Sequence, residues 1–260
     1  MSFQSLQLNP TAGWRSALAF ILSILAGGLT AHRAYALDDG RDVPRMVSFG
    51  GFCVKCDLST RRLTGARFLG GNFQRASLVG SDLRGALFLG SNFSGADFSH
   101  GDLRGASMTG AIFQSAQFSG TNLVGVEAVG ATFLESNLEN ARLDNSVLLN
   151  TDLRRVKARG ARFDRANLTG ANLELGGFEG ASFRGAELMG AVLSGGTFGR
   201  ADFKNASLRG ASISGADLAG AENLTREQIA DTCGDKATRL PPGLTVHQCA
   251  GRVIVLRRGP

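Results

Sequence analysis

Between Cys56 and Gly220 the chain repeats every five residues through 33 consecutive units, without an insertion or a deletion. Numbered from its small residue, each unit begins with Ala, Gly, Ser or Thr almost throughout: Ala66, Gly71, Ala76, Ser81 and on to Ala216. The third position is large and apolar in 31 of the 33 units (16 Leu, 13 Phe, Met108 and Ile213), and only Ala128 and Ala158 are small. The fifth is Gly in 20 of 33. An α-helix repeats its faces every 3.6 residues and a flat strand every two, so neither holds a strict period of five in register. A chain that turns a corner every five residues does, and a repeat of this kind decides the whole fold. First and third positions then face a core. The polar second positions, such as Asp57, Asn72, Asp82 and Asn92, face water. Gly at the fifth suits a tight turn, because it enters φ > 0 without steric cost.

The Phe residues indicate how many corners close one coil. Phe–Phe matches among third positions number 6 at a separation of five residues, 1 at ten, 5 at fifteen and 8 at twenty. Phe73, Phe93, Phe113 and Phe133 form one column, and Phe163, Phe183 and Phe203 another. Four units per coil give about eight coils and, at ~4.8 Å between strands, a rod roughly 40 Å long. At this point the chain resembles the pentapeptide-repeat family, through Ala96-Asp97-Phe98, Ala171-Asn172-Leu173, Ala201-Asp202-Phe203 and Ala216-Asp217-Leu218. The resemblance implies an all-β fold, a right-handed quadrilateral β-helix. The core supports it independently, since 31 large apolar side chains bring about 1.5–3 kcal/mol of gross burial each.

The ends differ in composition. Arg15 precedes an apolar run from Ala17 to Leu29, and Ala34-Tyr35-Ala36 places small residues where a signal peptidase reads them. That run is short for a bilayer span and suits a signal-peptide core. The expected organisation is a signal over 1–36 cleaved after Ala36, a lead-in over 37–50, the repeat over 51–220, and a C-terminal cap over 221–260. The mature chain is then expected to have no transmembrane segment; an uncleaved anchor is the alternative. In the cap, Thr225-Arg-Glu-Gln228 reads as a capping box opening a short helix, Arg226 to about Thr232. Such a cap would cover the edge that the last coil leaves open.

Four cysteines in an exported chain point to two disulfides. Cys53 with Cys56, and Cys233 with Cys249, is the economical pairing. A redox-active Cys53-Val-Lys-Cys56 or half of a metal site are the other readings, but no helix N-terminus or second C-x-x-C accompanies it. His32, His100 and His247 sit in the leader, on an outward turn and in the tail, so no general base stands out. No cofactor or metal site is expected, and the alternation of small and large inward residues leaves no pocket.

The best-known relatives resemble DNA by presenting an acidic rod to gyrase. Here units 56–220 hold 17 Lys and Arg against 15 Asp and Glu, a net of +2 (17 − 15). That balance disfavours a cytoplasmic topoisomerase protector and, without interleaved exposed aromatics, nucleic-acid binding generally. A basic collar, Arg154, Arg155, Lys157, Arg159, Arg162 and Arg165, is a candidate site for an anionic envelope component. The expectation is a non-enzymatic, exported interaction or spacer module whose partner is a protein or an anionic envelope component. An envelope thiol oxidoreductase using Cys53 and Cys56 is the enzymatic alternative.

Overall fold

The computed structural model describes the backbone of Ser48–Phe49 and residues 51–248. The expected leader and Cys249 lie outside the described residues. From Phe52 to Asp202 every fifth residue forms a parallel bridge to the residue twenty further on, as in Asn92↔Ile112, Asp97↔Gln117, Asp82↔Asp102 and Ser107↔Glu127. Those bridges fall in four columns, so the chain is a β-helix solenoid that returns to the same column after four units.

The backbone explains the period. In most units the third-position carbonyl accepts from the N–H three residues on, as Phe93 does from Ala96 at 3.0 Å. The third residue of that turn, the fifth position of the unit, has φ > 0 from Lys55 to Gly215, a conformation glycine adopts without steric cost. Three further N–H groups tie the coils together. The second position donates back to the coil before (Asn92 to Gly71, 2.9 Å). The third and fifth donate forward (Phe93 to Ile112, 2.7 Å; Gly95 to Gln114, 2.8 Å). Only the fourth-position N–H is left pointing outward.

First and third positions fill one continuous core. The two Phe columns expected from the sequence are present, with Phe73–Phe93 stacked at 4.8 Å, Phe113–Phe133 at 5.1 Å and Phe163–Phe183 at 5.0 Å between ring centroids. Neighbouring columns meet edge to face, as Phe98 meets Phe113 at 5.7 Å and 73°. Both arrangements suit the ring quadrupole. Between Phe133 and Phe163 the core runs on Leu138, Leu143, Leu148, Leu153 and Ala158 instead.

At the ends the register changes. β1 (Ser48–Phe49) pairs with β2 (Arg67–Phe68) nineteen residues on rather than twenty. At the other end α1 (Arg226–Ala230) lies where the strand after Ser207 would lie. Gln228 Nε2 donates to the carbonyls of Phe203 (2.7 Å) and Ala206 (2.8 Å). The capping box is formed. The helix is shorter than expected, because Thr232 turns inward and donates to the Ile229 carbonyl at 2.8 Å. The chain then rejoins the ladder at Cys233, opposite Ser212, and at Arg239, opposite Asp217. The tail is less polar than its sequence implies: Leu240, Leu244 and Val246 pack against the core.

Candidate interaction surface

First and third positions of the coils are buried, so the surface that the repeat presents is made of the outward second, fourth and fifth positions. Folding sorts these into four strips, one over each bridge column. The strip over Asp82 and Asp102 gathers ion pairs. Arg84 forks onto Asp82 (2.8 and 2.6 Å) and approaches Asp102 at 3.9 Å, while Arg104 forks onto Asp102 (2.9 and 2.7 Å). These forks hold the carboxyls of Asp82 and Asp102 below the usual carboxylate range, the Arg hydrogen bond being the largest cause.

The second-position Asp and Asn do more than decorate the surface with charge. Their Oδ1 accepts the outward fourth-position N–H two residues on: Ser94 donates to Asn92 at 2.9 Å, Ser99 to Asp97 at 2.9 Å and Arg154 to Asp152 at 3.1 Å. This local turn is one that Asn and Asp make readily. It satisfies the one backbone donor that the inter-coil ladder omits, so the motif's preference for Asp or Asn at this position has a backbone cause.

The basic collar separates over three strips and is largely neutralised. Arg154 forks onto Asp152 (2.9 and 2.7 Å), and Arg155 approaches Glu135 at 3.6 Å. Arg162 lies between Asp144 (3.0 Å) and Asp164 (3.3 Å). Arg165 donates to Asn145 at 2.8 Å. Lys157 and Arg159 make no ion pair among the described residues. Sequence proximity gathered the six; the corners at residues 155 and 160 turn them apart. Asp144 is 4% exposed, because Arg142 and Arg162 close over it. Their approach is charge contact, since neither Asp144 oxygen accepts a well-aligned hydrogen bond.

Cys53 and Cys56 flank the first complete turn with Cα atoms 5.4 Å apart, within disulfide reach. Cys233 lies in the cap, on the bridge to Ser212. His100 and His247 are exposed; His100 occupies a corner at φ 59°, and its imidazole lies over Gly120. Among the described residues, no group of three or more His, Cys, Asp or Glu could hold a metal ion, and no helix is long and apolar enough to cross a membrane. One shallow depression is lined by Leu134, Glu135, Arg154, Arg155, Glu174 and Leu175.

The family model described as pentapeptide repeats matches in 8 copies that run from residue 53 to residue 222. No curated protein matches. Among solved structures, the chain is similar to HetL, a protein involved in heterocyst differentiation regulation from the cyanobacterium Nostoc sp. strain PCC 7120. It is 27% identical, with a TM-score of 0.43 over 78% of this chain and 89% of that one. QnrB1, a plasmid-mediated fluoroquinolone resistance protein, is 18% identical with a TM-score of 0.29 over 78% and 89%. Rfr23 from the cyanobacterium Cyanothece 51142 is 20% identical with a TM-score of 0.20 over 73% and 90%.

Proposed function

The chain belongs to the pentapeptide-repeat family, and from that premise we propose that it is a non-enzymatic, exported module of the bacterial envelope. It serves there as a rigid spacer or interaction surface. The observation that carries this reading is the division between a closed apolar core and outward positions whose polar groups are largely engaged in turns and ion pairs. Such a rod presents a fixed surface. Its form is a right-handed quadrilateral helix of about eight coils. Cys53–Cys56 and Cys233–Cys249 are structural disulfides fastening its two ends, and cleavage after Ala36 releases it.

Fractionation with mass spectrometry of the N-terminus tests the location. A mature chain beginning at Leu37 in the envelope fraction is expected. Recovery from the cytoplasm with Met1 intact would favour a topoisomerase-interacting protector instead. Crosslinking within the envelope fraction then identifies the partner. Thiol titration of the native protein should find no reactive cysteine; a readily reduced Cys53–Cys56 pair that turns over a dithiol substrate would favour an oxidoreductase.

A further inference from the structure

The strip over Ser107 and Glu127 differs from the other three in its chemistry. On each of the others four second positions are Asp or Asn and cap the outward N–H: Asp57, Asp97, Asn137 and Asp217 on one; Asp82, Asp102, Asn122 and Asp202 on the next; Asn72, Asn92, Asp152 and Asn172 on the third. Here only Asn167 does so. In five consecutive coils, at Leu69, Leu89, Thr109, Val129 and Leu149, the outward N–H donates to no partner among the described residues. Four of these five donors belong to apolar residues, Thr109 being the exception, and Leu87, Val147 and Met189 lie on the same strip, with Leu89 41% and Met189 49% exposed. The corners are glycine in every coil but one, where Asn150 stands, so no side chain rises between the donors. Charge is sparse and balanced: Arg67 and Arg209 at the ends, Glu127 and Glu187 between them.

What fits such a strip is constrained. A second copy laid face to face would set donors against donors and leave them buried without acceptors, which costs free energy. A lipid surface would meet two projecting carboxylates, and a polyanion finds little net positive charge. An extended peptide advances ~6.6 Å between equivalent carbonyls and drifts out of step with coils ~4.8 Å apart. A linear β-linked sugar chain advances by close to one coil per unit with alternate units turned over, so the same ring edge returns to the strip at every second coil. It offers apolar ring faces for Leu89 and Leu149, oxygen acceptors for the free N–H groups and hydroxyl donors for Glu127 and Glu187.

We propose that this strip binds a linear, uncharged glycan laid along the rod, one sugar unit to a coil. The inference rests on the envelope reading only for where such a chain would be met. A failed titration leaves that location standing, and a cytoplasmic location leaves the titration standing. The probe is chitohexaose, added to the full ¹⁵N-labelled chain and followed by amide chemical shifts. The shifts of Leu69, Leu89, Val129 and Leu149 should move while those of Ser99 and Arg104 stay fixed, and chitobiose should bind at least tenfold more weakly. L89D/L149D, both on outward positions, should weaken binding at least tenfold, whereas S99D/S119D on another strip should change it less than twofold. Circular dichroism of both variants checks that the rod is intact. The proposal is overturned if the hexasaccharide moves no amide, if it moves amides on other strips equally, or if raising the protein concentration alone reproduces the shifts, which would mark a self-association surface.

Discussion

At the scale of single residues, each of the five positions answers to a different force. Phe113 is fully buried between Phe93 at 5.8 Å and Phe133 at 5.1 Å. Phe113→Ala should cost ~3–5 kcal/mol in denaturant unfolding through the cavity it leaves. The next residue, Gln114, is exposed, and Gln114→Asp should stay within ~0.5 kcal/mol. Equal tolerance at the two positions would refute the register. Corner residues carry strain wherever they are not glycine. Leu175 is held at φ 58° and is half exposed, a conformation that costs a residue with a Cβ about 1–2 kcal/mol. Gly195 in the next coil makes room for it, since a Cβ there would come within 2.8 Å of Leu175 Cδ2. Gly195→Ala should therefore destabilise, and Leu175→Gly should recover part of that loss. A double-mutant cycle reads the coupling, and strict additivity would show that the two corners are independent.

Among the elements, the cap is where packing and hydrogen bonding have to replace a missing coil. Gln228 closes the capping box through Thr225 and also donates to two carbonyls of the last coil. Gln228→Ala leaves those half-buried acceptors open and should cost ~1–3 kcal/mol. The loss should be local: hydrogen exchange should quicken over residues 203–218 while the coils around Phe93 stay protected, because solenoid stability is carried by nearest neighbours. Uniform quickening along the rod would mean that the coils unfold as one unit. The capping box was legible as Thr225-Arg-Glu-Gln228. That the helix stands in place of a strand was not, because α1 and its loops break the period on which the register depends.

For the whole molecule, pH reports how much the ladder of carboxylates matters. Asp82, Asp102 and Asp152 are lowered chiefly by their Arg hydrogen bonds, and Asp57 by Ser59. A depressed folded-state pKa contributes stability that is fully present above the unfolded value near 3.8 and is lost as pH falls through the folded value. Thermal unfolding between pH 7 and pH 2 should accordingly be flat down to about pH 4–5 and fall steeply below. Most of these pairs are partly exposed, so salt should reduce the effect. A melting temperature that is level to pH 2 would show that the forks contribute nothing measurable.

The five-residue period determined the solenoid, the inward and outward positions and the Phe columns, because a repeat without insertions leaves the chain one way to bury 31 large side chains. The signals were local and therefore legible. What lies beside what along each strip was decided by the fold, since neighbours on successive coils are twenty positions apart in the chain. That is why the six basic residues from Arg154 to Arg165 read as one cluster and separate at the corners, with Asp144 and Glu135 drawn in from the preceding coil to neutralise them. It is also why the uncapped donors from Leu69 to Leu149, unremarkable one at a time in the sequence, become a continuous row only when consecutive coils stack.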